Sequence, residues 1–278
     1  MEWWHALILG IVEGFTEFLP ISSTGHVTLL SSLMGYTIDS ADVTAFTAII
    51  QIGAIAAAVL YFRRDIIRIA KAWFSGLLNS KLRDNSDYRF GWAVLIGSLP
   101  IAVIGFAFKD VIETTFRSLW IVAISLIAWS AVMWYADTSA SQKRSEKDTK
   151  WTDTLTIGLA QCLALIPGVS RSGATMSVGL FKGFDRVTAT RLAFFLGMPA
   201  LLGAGAYQAV SHFDEVSVGV GWGPTIIGII ASFVVGYLAV AWLIKFVSRH
   251  SYQLFVWYRV ALGLLLVILL STNVISPV

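Results

Sequence analysis

Gly10-Ile11-Val12-Glu13, running on to Pro20-Ile21-Ser22-Ser23-Thr24-Gly25-His26, is echoed 148 residues later by Gly158-Leu159-Ala160-Gln161, running on to Pro167-Gly168-Val169-Ser170-Arg171-Ser172-Gly173-Ala174-Thr175. At that offset Gly10 falls on Gly158, Ser22 on Ser170, Thr24 on Ser172 and Gly25 on Gly173, while the prolines miss by one. Each stretch is an apolar helix interrupted by proline and a Ser/Thr/Gly cluster, followed by an apolar restart. Inside a membrane such breaks survive only where the freed backbone faces protein or a wet cavity. A matching pair in two halves of a chain points to a site at their junction.

The composition supplies the membrane. Hydrophobic residues make up 56% of the chain and charged ones 13%, with a mean hydropathy of +0.74, whereas a soluble domain carries about 25% charged residues. Apolar runs of spanning length lie near 43–62, 90–108, 118–136, 187–209, 222–244 and 253–273. The segments 3–34 and 152–181 are too interrupted to be single spans and read as re-entrant hairpins of two half-helices. The expected fold is therefore an all-α polytopic membrane protein of two inverted-topology repeats, each a re-entrant hairpin plus three transmembrane helices. It forms one integral domain over 1–278, with repeat 1 at about 1–136, a linker at about 137–150 and repeat 2 at about 151–278. No cleavable signal peptide is expected, because the start lacks a basic region and Glu13 and Glu17 interrupt its apolar stretch. A single cysteine, Cys162, excludes an intrachain disulfide.

Three spans and a hairpin per half make an odd number of crossings, so the halves must be inverted. Sixteen of the 20 basic residues then fall on one side, in the loops around 63–89, 143–150, 182–191 and 245–249. Lys109 and Arg117 fall on the other, and Arg171 and Arg259 lie within membrane segments. The positive-inside rule makes the basic side cytoplasmic, with both termini outward. The net charge of +3 thus reports topology and contact with anionic headgroups, and gives no reason to expect nucleic acid. Loop 137–150 is polar and expected to be flexible. Trp3, Trp4, Trp92, Trp120, Trp134, Trp151 and Trp222 lie near span ends as interfacial anchors.

Chemistry concentrates in the two breaks. Glu13 and Glu17 share a helix face in an apolar half-helix, where ionisable residues are costly and usually functional. The pair can hold a divalent cation with water and phosphate oxygens, or one carboxylate can orient a histidine. Ser22, Ser23 and Thr24 can cap the returning half-helix, but capping does not explain His26. An imidazole beside carboxylates and hydroxyls suits acid/base work near neutral pH, and Ser23, His26 and a glutamate could meet the needs of an activated nucleophile. In the second break, Ser170, Arg171, Ser172 and Thr175 offer hydroxyls, amides and a guanidinium fork at a half-helix N-terminus, an anion site. The offset sets Arg171 opposite Ser23, Ala174 opposite His26 and Leu165 opposite Glu17. Acid/base groups thus sit in one half and a cationic clamp in the other, against a symmetric ion channel. Gln51 and Arg259, polar residues in mid-span, each have a site role or a structural one open to them.

Glu13-Gly14-Phe15-Thr16-Glu17-Phe18-Leu19-Pro20-Ile21-Ser22-Ser23-Thr24-Gly25-His26 and Pro167-Gly168-Val169-Ser170-Arg171-Ser172-Gly173-Ala174-Thr175 resemble the motifs of the undecaprenyl-pyrophosphate phosphatase family linked to bacitracin resistance. Length, repeat layout and Gln51-Ile52-Gly53-Ala54 also fit, so the resemblance covers nearly the whole chain. It implies an integral enzyme of the bacterial inner membrane that removes the terminal phosphate of a C55 polyprenyl diphosphate, recycling the lipid carrier for peptidoglycan synthesis. It further implies dependence on a divalent cation, Mg2+ or Ca2+, and a site opening outward. By motif position Glu13, Glu17, Ser23, Thr24, His26, Ser170, Arg171 and Thr175 inherit site roles, with Ser22, Ser172 and Gln51 as further substrate contacts. The expected chemistry is attack by Ser23 with His26 as base, with His26 itself or water as the alternative nucleophile, and Glu13 and Glu17 on the cation. A phosphatidic-acid-phosphatase type site would need a Lys-x6-Arg-Pro block, which is absent. A transporter or flippase of an anionic lipid is the non-enzyme alternative, since broken helices in inverted repeats are transporter architecture. The sequence leaves oligomeric state open, a homo-oligomer included.

Overall fold

In hydrocarbon every backbone N–H and C=O must bond within its own segment, so apolar runs become helices. The computed structural model describes residues 1–37, 40–108 and 118–276. The expectations for Lys109, Arg117 and Val278 lie outside these described residues. Among the described residues six helices are long and apolar enough to cross a membrane: α3 (Ala41–Tyr61), α5 (Ser86–Ala107), α6 (Leu119–Ser139), α9 (Arg186–Ser211), α11 (Trp222–Val247) and α12 (Gln253–Ser271), with a short α10 (Phe213–Val218) between α9 and α11. They match the six apolar runs of the sequence to within a few residues. The interrupted segments form helix pairs, α1 (Trp3–Thr16) with α2 (Ser23–Leu33) and α7 (Trp151–Gln161) with α8 (Arg171–Phe181). At 1.5 Å per residue, 14- and 11-residue helices reach only about 21 and 17 Å, short of a hydrocarbon core of about 30 Å.

The two halves interlock through reciprocal pairs. α1 packs on α11, and α7 packs on α5; α3 packs on α9, and α6 on α12. Small residues permit this. A Cβ at Gly10 would run into the Gly228 backbone of α11, and one at Gly158, its partner at the 148-residue offset, into the Gly97 backbone of α5. Close backbone approach of this kind holds helices together where lipid gives no hydrophobic drive between them.

Two features differ from the sequence expectation. The basic stretch after α3 is helix, α4 (Arg63–Leu78), rather than loop. Its isoleucines and aromatics recur at helical spacing between Arg64, Asp65, Arg68 and Lys71, so its mean hydropathy hides it from a search for spans. Trp73 meets Trp92 of α5 at 5.4 Å, while Ile67, Phe74 and Leu78 stay exposed, as in a helix lying in the membrane interface. Second, loop 137–150 is tied down. The Arg144 N–H donates to the Gly183 carbonyl (2.9 Å), and Asp185 N–H donates to the Arg144 carbonyl (2.9 Å). The Arg144 guanidinium reaches the Lys182 carbonyl (2.8 Å) and Asp153 (2.5 Å). Asp148 accepts from the Ser145 N–H and hydroxyl, which holds its carboxyl below the usual aspartate range. Ion pairs extend the anchoring: Arg191 bonds Glu146 (2.6 Å) and Asp65 (3.0 Å), and Arg186 bonds Asp137 (2.6 Å).

Candidate functional site

The site begins with two strained serines. Ser22 and Ser170, caps of α2 and α8, adopt φ of 72° and 74°, a left-handed region that costs a side chain about 1–2 kcal/mol. Each recovers part of that cost by accepting an N–H of its own helix, Gly25 at 3.4 Å and Gly173 at 3.2 Å. The turn throws the next residue of each break, Ser23 and Arg171, toward the other half.

Those two residues meet at one carboxylate. Ser23 Oγ donates to Glu17 Oε2, and Arg171 Nη2 donates to Glu17 Oε1 at 2.7 Å. Glu17 caps the carbonyl end of α1, with Glu13 one turn earlier, and both are buried. A helix C-terminus disfavours negative charge, so nothing in the local fold calls for two acids there; the cation from the other half compensates them. Arg171 Nη1 and Glu13 Oε1 are buried and have no hydrogen-bond partner among the described residues. Gly197 of α9 makes room for the guanidinium, since a Cβ at that position would overlap it.

A cavity of about 140 Å3 opens at this junction, lined by Glu17, Ser22, Ser23, Thr24, Gln51, Ser170 and Arg171 together with apolar groups. Seven residues singled out in the sequence are thereby brought together. A second cavity of about 430 Å3 shares Ile101, Leu165, Arg171 and Leu201 with the first and continues between α5 and α9 along Phe106, Pro199 and Ala204. Its lining is mainly apolar, with Arg171, Tyr207 and Gln208 as the polar members. A polar chamber thus leads directly into a greasy slot.

The remaining residues stand behind the cavity. Ser172 donates to the Leu19 carbonyl (2.8 Å), bridging the two breaks. Thr175 donates to Gln161 Oε1 (3.3 Å), and both are buried. His26 does not line the cavity, and the expected Ser23–His26 pair is not formed. His26 Nδ1 donates to the Ser22 carbonyl (2.7 Å), which leaves Nε2 to accept from the Tyr258 hydroxyl of α12 (2.6 Å). One turn into α2, the imidazole is turned back on its own cap and away from Ser23. Among the described residues no group of three or more His, Cys, Asp or Glu side chains is gathered to hold a metal ion. Glu13 and Glu17 can supply two ligands to a cation whose remaining oxygens come from elsewhere.

Sequence reasoning missed three contributors: Gln161, Tyr258 and the bonding of Arg259. Only Gln161 left a signal, since it occupies the Glu13 position at the 148-residue offset.

Six helices long enough to span a membrane, with two broken helix pairs that meet at a polar cavity holding Arg171 and Glu17, define a multi-pass membrane protein. The chain belongs to the family described as bacitracin resistance protein BacA, whose profile matches residues 6–265. It is 57% identical over 272 residues to undecaprenyl-diphosphatase 3 of Frankia casuarinae, covering 98% of both chains. It is 53% identical to the undecaprenyl-diphosphatase of Cutibacterium acnes, covering 99% of this chain and all of that one. The undecaprenyl-diphosphatase of a Mycobacterium species matches at 46% over the full length of both.

Proposed function

We infer that the chain is an undecaprenyl-diphosphatase, hydrolysing a C55 polyprenyl diphosphate to the monophosphate and phosphate. The observation that carries the reading is Arg171, which lines the cavity beside the Ser23–Glu17 pair and whose buried Nη1 has no hydrogen-bond partner among the described residues. A buried unpartnered guanidinium donor calls for an anion, and the amphiphilic shape of the joined cavities calls for one with an apolar tail. The diphosphate sits against Arg171, Ser170, Ser22 and Thr24, with Gln51 at the cavity wall and the first isoprene units between α5 and α9. Glu17 accepts the Ser23 proton as Oγ attacks the terminal phosphorus. The phosphoanhydride bond breaks, prenyl monophosphate leaves, and water then releases phosphate from Ser23. His26, expected as the base, instead orders the first turn of α2 through the Ser22 carbonyl. A flippase of the same lipid would need Arg171 but has no use for a serine bonded to a carboxylate. Purified protein should release phosphate from the C55 diphosphate; binding without release would favour the flippase.

Glu13 Oε1, buried and unpaired beside Glu17, fits a divalent cation that also takes phosphate oxygens, because Mg2+ commonly uses one or two carboxylates plus substrate. Such an ion supplies charge neutralisation to the phosphate. Glu13→Gln should raise the cation concentration needed for half-maximal activity. An unchanged titration with lower turnover would limit Glu13 to the electrostatics of Glu17.

The reciprocal packing of α1 with α11 and α7 with α5 supports two inverted repeats within one integral domain. With the basic loops cytoplasmic, the termini and the site face outward from the bacterial inner membrane. After Cys162→Ser, a cysteine at Ser145 should be shielded from impermeant thiol reagents in intact cells and one at Val278 labelled. The reverse pattern overturns this orientation.

A further inference from the structure

Arg259 stands in the middle of α12 with no exposed surface. Its hydrogen bonds all go to neutral oxygens. Nε donates to Ser130 Oγ of α6 (3.2 Å), Nη1 to the Pro20 carbonyl (3.1 Å) and Nη2 to the Gly168 carbonyl (2.8 Å). Charged side chains at such depth are costly and pair with one another or with backbone carbonyls. The two carbonyls are the notable choice. Pro20 and Gly168 are separated by 148 residues, the same offset that relates Ser22 to Ser170. Each carbonyl lies two residues before a left-handed serine cap and three before the residue that enters the cavity, Ser23 in one break and Arg171 in the other. One rigid guanidinium therefore bonds equivalent points on both broken segments.

We propose that Arg259 is a positioning residue for the phosphate site, setting the spacing between the two breaks and so between Ser23 and Arg171. The inference rests on the phosphatase reading above. Arg259 does not line the cavity and has no contact with the headgroup; it acts through the backbone. A planar fork fixes the directions of two acceptors at once, which a flexible ammonium cannot do. Proline and the breaks leave carbonyls that no helix satisfies, and within a membrane these need an internal donor. Bonding both to one group makes satisfaction and alignment the same event. Ser130, itself buried and donating to the Leu126 carbonyl (2.6 Å), holds the third edge of the fork.

The test separates alignment from simple folding. Arg259→Lys retains charge, and Arg259→Gln retains donors without charge. Misplacement by about 1 Å costs on the order of 100-fold in rate, so both variants should lose at least about tenfold in kcat. KM should stay within about threefold, because the groups that touch the headgroup remain. Turnover is counted per folded molecule, from monodisperse protein, alongside Tm. Either folded variant keeping kcat within about twofold of wild type overturns the proposal, as does a loss confined to Tm or to KM. If neither folds, Ser130→Ala decides: it frees one edge of the fork and should lower kcat about threefold at unchanged KM, and an unchanged kcat overturns the proposal. Absence of phosphate release by the wild-type protein would sink the phosphatase reading instead, a different result from any of these.

Discussion

Glu17→Gln should lower kcat by about 10²–10⁴-fold, the range that a positioned general base supplies. One oxygen of Glu17 is held by Arg171 and the other receives the Ser23 hydroxyl. An amide keeps the shape but must turn its NH2 to one of these partners. Facing Arg171 it opposes a donor with a donor; facing Ser23 it cannot take a proton. The loss should appear in single-turnover phosphate release, so that product departure does not mask it. Substrate labelled in its terminal phosphate should also leave an acid-stable ester on wild-type Ser23, absent from Ser23→Ala. Glu17→Gln turning over within about twofold of wild type would remove Glu17 as the base. Acid-labile label alone would move the nucleophile to a nitrogen and assign that role to His26.

Arg171 should show the second large effect, in two grades. Arg171→Ala removes a phosphate donor and the partner of Glu17 together, and a loss on the order of 10³ in kcat is expected from removing a pre-placed donor. Arg171→Lys keeps the charge, but one ammonium cannot both hold Glu17, as Nη2 does, and offer the second donor that Nη1 leaves unpartnered. Its loss should be at least about tenfold, or about 1.4 kcal/mol. The pocket is built for the planar group, since Gly197 leaves no Cβ where the guanidinium lies. Near wild-type hydrolysis by the Lys variant would reduce Arg171 to a charge balance for the two glutamates.

Much of the fold was legible because a membrane forces one rule on the chain. Span-length apolar runs gave all six spans, and Pro20 and Pro167 with their serine clusters gave both helix breaks. What escaped detection did so for physical reasons. α4 is amphipathic, so averaging over a window cancels Ile66 and Trp73 against Arg64 and Lys71. The anchoring of loop 137–150 depends on Arg144 finding carbonyls at 182 and 183, which carry no side-chain signature. Arg259 was visible as a mid-span charge, but its partners are also backbone atoms. In the site, residue types identified the cavity well, since Glu17, Ser23 and Arg171 do converge. The pairing within it was not readable: His26 lies only three positions after Ser23, yet on α2 the ring bends back to the Ser22 carbonyl while Ser23 faces Glu17. Sequence proximity reports the same helix, not the same direction.

The exchange of partners between halves has a consequence for biosynthesis. α1 ends at Thr16, and the helix it packs against begins at Trp222. At roughly 5–20 residues per second the ribosome needs on the order of 10–40 s to bridge that interval. For most of it, until Arg171 is made, a half-helix carrying two glutamates waits in or beside the bilayer without the arginine that compensates Glu17, and for all of it without the glycine face that covers it. Arg259 arrives later still. A nascent chain of this kind gains no working intermediate as it lengthens. Its first hairpin should need shelter until its partners arrive, and chains terminated before α12 should be cleared as unassembled protein rather than persist with partial activity.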